Sequence, residues 1–439
     1  MLSELAKFIT ENDLGQNLFF AYSPDILDIT ENLSPELRFY FKDSVDFKLV
    51  LNSSNIHTVL SFLKITVFAK NMKVLTWNWK NFASYVLSKT GKDYLIEGQI
   101  LDLKLLESYS GNKSKCPENY NEAANRLRTI FSSGTWKEIE KVYKNLHHPL
   151  MTTVIPRIEN SGIISLSQGK KVHAYYEIDG QENGRLKCSN AFNAGFCPHA
   201  MTQETKESLK GRDAEEFFIS FDFKGQEVYQ LAWLSNDPLL KKLCEMPDIY
   251  RGLYEIIMED KNFDKNKRDF AKKIFLPVIY GQSANMLAQK CGLQQSVAEE
   301  IIQKIQTLFP EVFKFTQGYL DQVQQHGFAK DIFGKVRKFE TNKSYLAKNF
   351  AISSPATVVC LEKLIKLYYK LKDKSDIAFT IHDGYVVYAN KENWKNIFKM
   401  GHEVLSEDSE FCPGLRLKVS VKAGRNLNDL KTISRKGDL

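Results

Sequence analysis

No two cysteines in this sequence stand at C-x-x-C spacing, and no histidines stand at a spacing suited to zinc. The seven cysteines, at 116, 188, 197, 244, 291, 360 and 412, are scattered. A disulfide framework and a structural zinc site are thereby excluded as organising features, and a reducing compartment is the simple reading. No run approaches the roughly 18 apolar residues that cross a bilayer. The N-terminal MLSELAKFITENDLGQNLFF also lacks a basic segment followed by an apolar core. A cytoplasmic protein with no membrane partner is expected. Internal repeats and low-complexity tracts are absent as well, which argues against a repeat array.

What is present is a chain of 439 residues, long enough for two or three domains with separate cores. A composition 43% apolar and 26% charged is that of a globular protein. The formal charge of +7 is compatible with a polyanionic partner but is too mild to identify one.

Residues 1 to 110 alternate short apolar runs (LFFAYS, FKLVL, ITVFA, MKVLTW) with helical patterns (NIHTVLSFLK, NFASYVLSKTG), the pattern of an α/β domain. GNKSKCPENYNEA, 111 to 123, reads as a boundary, and 122 to 148 as helix. In EEFFISFDFKGQEVYQLAWLSND the period changes. Phe217, Ile219 and Phe221 share one strand face and Phe218, Ser220 and Asp222 the other; Val228, Leu231 and Leu234 then recur at helical spacing. Asp222 therefore ends a strand. Residues 266 to 325 are helical with a break at Pro310, and KDIFGKVRKFE, IHDGYVVY and LRLKVSVKAG return to strand.

Asp383 lies in an Asp-Gly pair between FTI and YVVY, which predicts a tight hairpin turn with Gly384 supplying its backbone freedom. Alone, such an aspartate only makes the turn, and His382 alone is a packed histidine. Asp222 at a second strand end changes the weighing: two carboxylates can hold Mg²⁺, whose other positions are filled by water and substrate phosphates. In NKRDFAKKIFLPVIYGQS, Arg268, Lys272, Leu276 and Tyr280 fall at i, i+4, i+8 and i+12. One helix face thus carries two cations, an apolar residue and a ring, ending at Gly281. A solvated basic face explains that pattern by itself; cations for phosphates and a ring for a base explain it together with the aspartates.

Across about residues 145 to 439 the ordered set resembles family A DNA polymerases, the polymerase I type. Asp222 with Phe223, Glu227 and LAWLSND is similar to the first palm motif; Arg268, Lys272, Tyr280 and Gly281 to the fingers helix; Asn349 and His382-Asp383 to the later palm motifs. NGRLKCS resembles the segment whose arginine, here Arg185, contacts the primer end. The resemblance implies an α/β (α+β overall) fold with an RNase H-like exonuclease-type domain at 1–120 and a helical linker at 121–170. The palm would occupy 171–244 and 341–439, and the fingers 245–340.

It further implies template-directed extension of primer-template DNA with dNTPs, in replication or repair. Asp222, Asp383 and the Phe223 carbonyl would hold two Mg²⁺, with Mn²⁺ as a substitute. Arg268 and Lys272 would hold the triphosphate, Leu276 and Tyr280 would pack by the nascent pair, and Glu227 would exclude a ribose 2′-hydroxyl. Single-subunit RNA polymerases share the aspartates and the Lys/Tyr-Gly pattern but lack that gate. His382, Asn349 and Ser353 would sit on the DNA.

Departures from the family pattern carry their own expectations. Gly384 stands where a carboxylate is usual, Leu276 where an aromatic is, Tyr250 where a phosphate-binding His is common, and Ser353 where a Gln is. Pro277 predicts a kink, since it removes a donor and collides with the Lys273 carbonyl. In the exonuclease-like part, Tyr22 and Pro24 stand where acids are expected, the positions after Asn78 and Lys80 are Asn81, Phe82 and Ala83, and YNEAA lacks the third-site Asp; Asp102 remains, and one carboxylate cannot build the site, which predicts no proofreading. Only ISLSQGK separates IPRIENSGI from KVHAYYE, far too short for the family's helical thumb. A protein partner or an oligomer is a candidate for the missing clamp. Two other readings stay open: a polymerase-shaped, catalytically weak or inactive DNA-binding scaffold, and a primase-like or untemplated nucleotidyltransferase.

Overall fold

A computed structural model describes residues 17–23, 36–40, 46–51, 55–64, 73–92, 99–111, 115–189 and 196–433. Packing divides the chain into two units, one of residues 1–222, 361–405 and 420–439, the other of 223–360 and 406–419.

The first unit begins with a five-stranded sheet of β1 (Asn17–Ser23), β2 (Glu36–Tyr40), β3 (Asp46–Val50), β4 (Lys73–Trp77) and β5 (Gln99–Asp102), in the order β3-β2-β1-β4-β5. The first three pair antiparallel, while β4 runs parallel to both β1 and β5. Val74, Leu75, Thr76 and Trp77 of β4 are all buried, as a strand with neighbours on both sides and helices over it requires. The helix Trp79–Thr90 that follows buries Trp79, Phe82, Tyr85, Val86 and Leu87. Asp102 is wholly buried and serves as a cap: its carboxylate accepts from Leu105 N (3.3 Å), opening the helix Leu103–Ser108, and from Trp79 N (2.7 Å). Burial pushes its pKa upward against those bonds.

Helices Tyr120–Ser132 and Thr135–Val142 lead through two π-helical turns, Tyr143–His147 and Leu150–Val154, into the helix Ile155–Ser161. Glu159 on that last helix is fully buried. It is paired with Lys80 (2.8 Å) and accepts from the Ser84 hydroxyl (2.5 Å) and the Tyr176 amide (2.8 Å). This charged knot ties the first hundred residues to the segment around Tyr176. Strands Ile163–Ser165 and Lys170–Val172 then pair antiparallel and are closed by residues 166–169 alone.

A second five-stranded sheet follows the order Ile377–Ile381, Gly384–Ala389, Phe217–Phe223, Val419–Gly424, Lys431–Thr432. Its core is aromatic, with Phe218, Phe221, Tyr385 and Tyr388 all buried. The helix Trp394–Ser406 lies on it so closely that a methyl group on Gly401 would sit 2.7 Å from Phe221 Cε1.

The other unit is mainly helical, with Gln226–Ser235, Pro238–Glu245, Ile249–Met258, Lys265–Ile279, Ala284–Cys291, Gln295–Leu308 and Pro310–His326. Pro310 opens the last of these at a position where its missing N–H costs nothing, which is the physical form of the break read from the sequence. The hairpin Phe328–Lys330/Val336–Lys338 packs its Ala329 with Tyr319, Val323, Phe350 and Ala351. Asp331 in that hairpin accepts from Phe333 N and Lys335 N (both 2.9 Å) and from the Ser354 hydroxyl (2.6 Å).

Candidate active site

In the first unit, strand Phe217–Phe223 buries Phe221 and Phe223 and exposes Asp222 between them, the alternation that a strand end dictates. Asp222 pairs across the sheet with Gly384, the residue directly after Asp383. The two aspartates therefore occupy the same end of neighbouring strands. Asp383 is half-buried and His382 exposed.

The hairpin corrects one sequence expectation. Ile381 pairs with Gly384, so the two loop residues are His382 and Asp383, and the positive φ falls on His382 (51°) while Gly384 begins the next strand. A non-glycine residue held there stores about 1–2 kcal/mol. Gly384 is instead a matter of space: a Cβ on it would lie 3.3 Å from the carbonyl oxygens of Ile381 and Phe221 and 3.5 Å from Asp222 Oδ1.

Two aromatic contacts hold this hairpin. The buried Tyr176 hydroxyl donates to Thr380 O (2.8 Å) and accepts from Thr380 N (3.0 Å). The His199 ring stacks on His382 with centroids 4.7 Å apart and planes at 13°. Burial, then the neighbouring His382 and Arg185, pushes the His199 pKa down to about 4. Arg185 and His382 are thereby brought into one neighbourhood, and His199 joins them without any motif to announce it.

In the other unit, the helix Lys265–Ile279 is capped by the Asp264 carboxylate, which accepts from Lys267 N (2.8 Å). It buries Ala271, Ile274, Phe275 and Val278 and turns Arg268, Lys272, Leu276 and Tyr280 outward. It runs through Pro277 and ends two residues later, with Tyr280 as its cap and Gly281 at φ 93°. The proline gives up the helical bond to the Lys273 carbonyl, and only Val278 and Ile279 of the helix lie beyond it. Arg268 Nε donates to Asp248 Oδ2 at 2.5 Å. The ring of Tyr250, itself buried, lies 5.2 Å from the Arg268 guanidinium carbon and 5.3 Å from Lys272 Nζ. The Tyr280 hydroxyl donates to Glu227 Oε2 at 2.7 Å. On the helix Leu346–Leu371, Asn349 is half-buried, whereas Ser353 is fully buried and donates to Asn349 Oδ1 (3.2 Å). Ser353 therefore has no surface of its own to offer DNA, and what it supports is Asn349.

Sequence reasoning missed Asp248, Tyr176 and His199. Only Asp248 left a readable signal, an aspartate before the helical IYRGLYEII run, and that signal announces a helix cap without its ion pair. Tyr22 and Pro24 fall outside the residues whose side chains are described. Lys80 and Asp102 are engaged in the internal contacts given above.

The donor set at Asp222 and Asp383 suits Mg²⁺. Among the described residues no cluster of three or more His, Cys, Asp or Glu side chains could cage a metal. Mg²⁺ asks for one or two carboxylates and takes its remaining oxygens from water and phosphates. Among the described residues no helix is long and apolar enough to cross a membrane.

Residues 102–429 match the family described as DNA polymerase family A. The chain belongs to that family. It is 25% identical over 281 residues to DNA polymerase I of Chloroflexus aurantiacus, covering 60% of this chain and 30% of that protein. It is 26% identical over 399 residues to DNA polymerase I of Caldicellulosiruptor bescii, covering 85% and 46%. With the DNA polymerase of Mycobacterium phage D29 it shares 21% over 321 residues, covering 69% and 53%. The chain thus spans about a third to a half of the length of these family A relatives. Its fold is similar to that of the POL domain of Pol1 from M. smegmatis, solved in complex with DNA primer-template and dNTP. That likeness has a TM-score of 0.77 at 14% identity and covers 97% of this chain and 98% of that one.

Proposed function

We propose that the chain is a template-directed DNA polymerase that extends a primer with dNTPs. The observation that carries this reading is the pairing of Asp222 with Gly384, which sets Asp222 and Asp383 at one end of adjoining strands in a member of family A. Two Mg²⁺ ions, or Mn²⁺ in their place, would be held by Asp222, Asp383 and the Phe223 carbonyl, and would supply charge neutralisation and activation of the attacking hydroxyl. Arg268 and Lys272 take the triphosphate and balance its charge as the leaving pyrophosphate departs. Glu227, tethered by Tyr280, fills the space of a ribose 2′-hydroxyl, and Leu276 packs beside the new pair. Arg185 and His382 hold the primer end, and Asn349, backed by Ser353, faces the duplex.

The N-terminal region serves in this reading as an exonuclease-like scaffold without proofreading. Its mixed sheet supports the resemblance, and the commitment of Asp102 to capping and of Lys80 to Glu159 supports the loss of activity. The four-residue closure at 166–169 supports a core without a helical thumb. Synthesis is then distributive and strongly salt-dependent, because phosphate contacts carry most of the remaining affinity, and a protein partner or second copy is the natural clamp.

That same closure favours a second reading, a polymerase-shaped DNA-binding protein without catalysis. Primer extension with dNTPs and Mg²⁺ separates the two. Extension that requires a template and disappears in Asp222→Ala supports the polymerase. Template binding with no extension, or equal extension by Asp222→Ala, sinks it. NTPs offered in place of dNTPs, or omission of the template, test the primase-like and untemplated alternatives.

A further inference from the structure

Arg268 is gripped at a single nitrogen. Its Nε donates to Asp248 Oδ2, and its guanidinium lies against the ring of Tyr250. Among the described residues its two terminal nitrogens have no protein partner, so the fork with which arginine meets phosphate stays open. Lys272 has no hydrogen bond or ion pair among the described residues, and its ammonium shares the Tyr250 ring.

Both anchors are themselves fixed. Asp248 caps the helix Ile249–Met258 with its other oxygen, which accepts from Tyr250 N at 3.1 Å. Tyr250 is buried, and its ring stands so near Gly225 that a Cβ there would lie 3.3 Å from Cε2. Two long cationic side chains would otherwise sample many rotamers and repel each other. Holding them before the ligand arrives lowers the ordering cost of binding.

We propose that Asp248 and Tyr250 are positioning residues for the triphosphate: Asp248 pins Arg268 by Nε so that its fork faces outward, and Tyr250 is a common platform for Arg268 and Lys272. This rests on the assignment of those two cations to the triphosphate. It gives Tyr250 a different task from the phosphate-binding histidine that the family resemblance suggested at this place.

The test is steady-state primer extension with varied dNTP on the full chain. Asp248→Asn keeps one oxygen for the helix cap and turns a donor toward Arg268 Nε. It raises KM about tenfold while kcat falls less than threefold, since it disturbs binding and not the chemical step. Tyr250→Leu raises KM similarly, and Tyr250→Phe, which keeps the ring, recovers most of that loss. In an Arg268→Ala background Asp248→Asn adds nothing, because it acts through the missing side chain. If Arg268→Ala leaves KM unchanged, the assignment of the cation itself fails. If Arg268→Ala raises KM but Asp248→Asn leaves it unchanged or lowers it, or if the two effects multiply, the positioning inference is overturned. Should Tyr250→Leu not fold, the Asp248–Arg268 cycle decides alone.

Discussion

The Tyr280 hydroxyl donates to Glu227 Oε2 over 2.7 Å, joining the end of the cationic helix to the first turn of the helix Gln226–Ser235. In the proposed polymerase, loss of that bond would give the Glu227 side chain rotamer freedom and let it guard the 2′ position less strictly. A hydrogen bond to a charged group is worth about 1.5–3 kcal/mol, so Tyr280→Phe should lower discrimination between dNTP and rNTP about tenfold. Competing single-nucleotide incorporation measures the ratio, and Glu227→Ala should lower it further.

Gly384→Ala should damage synthesis more than stability. Its Cβ would press on the carbonyls of Ile381 and Phe221 at 3.3 Å and approach Asp222 Oδ1 at 3.5 Å, so the carboxylate or the loop must move. A displacement of about an ångström at a reacting centre can cost on the order of a hundredfold in rate. Parallel kcat and thermal-melt measurements check this, and a variant with unchanged kcat would contradict it.

Gly401→Ala should act the other way round, on stability first. The added methyl would sit 2.7 Å from Phe221 Cε1 and 3.0 Å from Cε2 inside an aromatic core. Overpacking of this kind costs about 1–3 kcal/mol, read as a fall in the urea midpoint with the slope unchanged.

His199 should give the protein an acid-sensitive stability. Its pKa is pushed down to about 4 by burial and by the neighbouring His382 and Arg185, against an ordinary value of 6.5. Between those values the unfolded state binds more protons, so this contribution is complete above pH 6.5 and is lost as pH falls toward 4. His199→Phe keeps a ring for stacking on His382 and removes the titration. Its stability should change less than that of the unaltered protein between pH 7 and 4.5, as urea melts at both values would show.

The two aspartates, the cationic face and the Pro310 break are legible in the sequence because strand alternation, helical spacing and proline chemistry are local rules. The Asp383 hairpin is legible only in outline. Asp-Gly spacing predicts the glycine in the turn, yet the contact between Gly384 and Asp222 on another strand decides its place, and His382 takes the strained angle instead. The pairing of Asp248 with Arg268, the stack of His199 on His382 and the Lys80–Glu159 knot join residues 20, 183 and 79 positions apart, and no local pattern encodes such pairs. Ser353 shows the same limit in reverse. The family resemblance places it on DNA, while burial turns its hydroxyl inward to Asn349.

The short closure between Ile163–Ser165 and Lys170–Val172 also offers a site for engineering. Its tip carries an exposed Leu166 and Gly169 at φ 62°, and its two strands bring the chain back to where it left. Exposed turns with adjacent ends tolerate inserted domains well. A DNA-wrapping module grafted at residues 166–169 would enter and leave through a single ready-made doorway, turning the proposed polymerase into a chassis whose grip can be chosen separately from its chemistry.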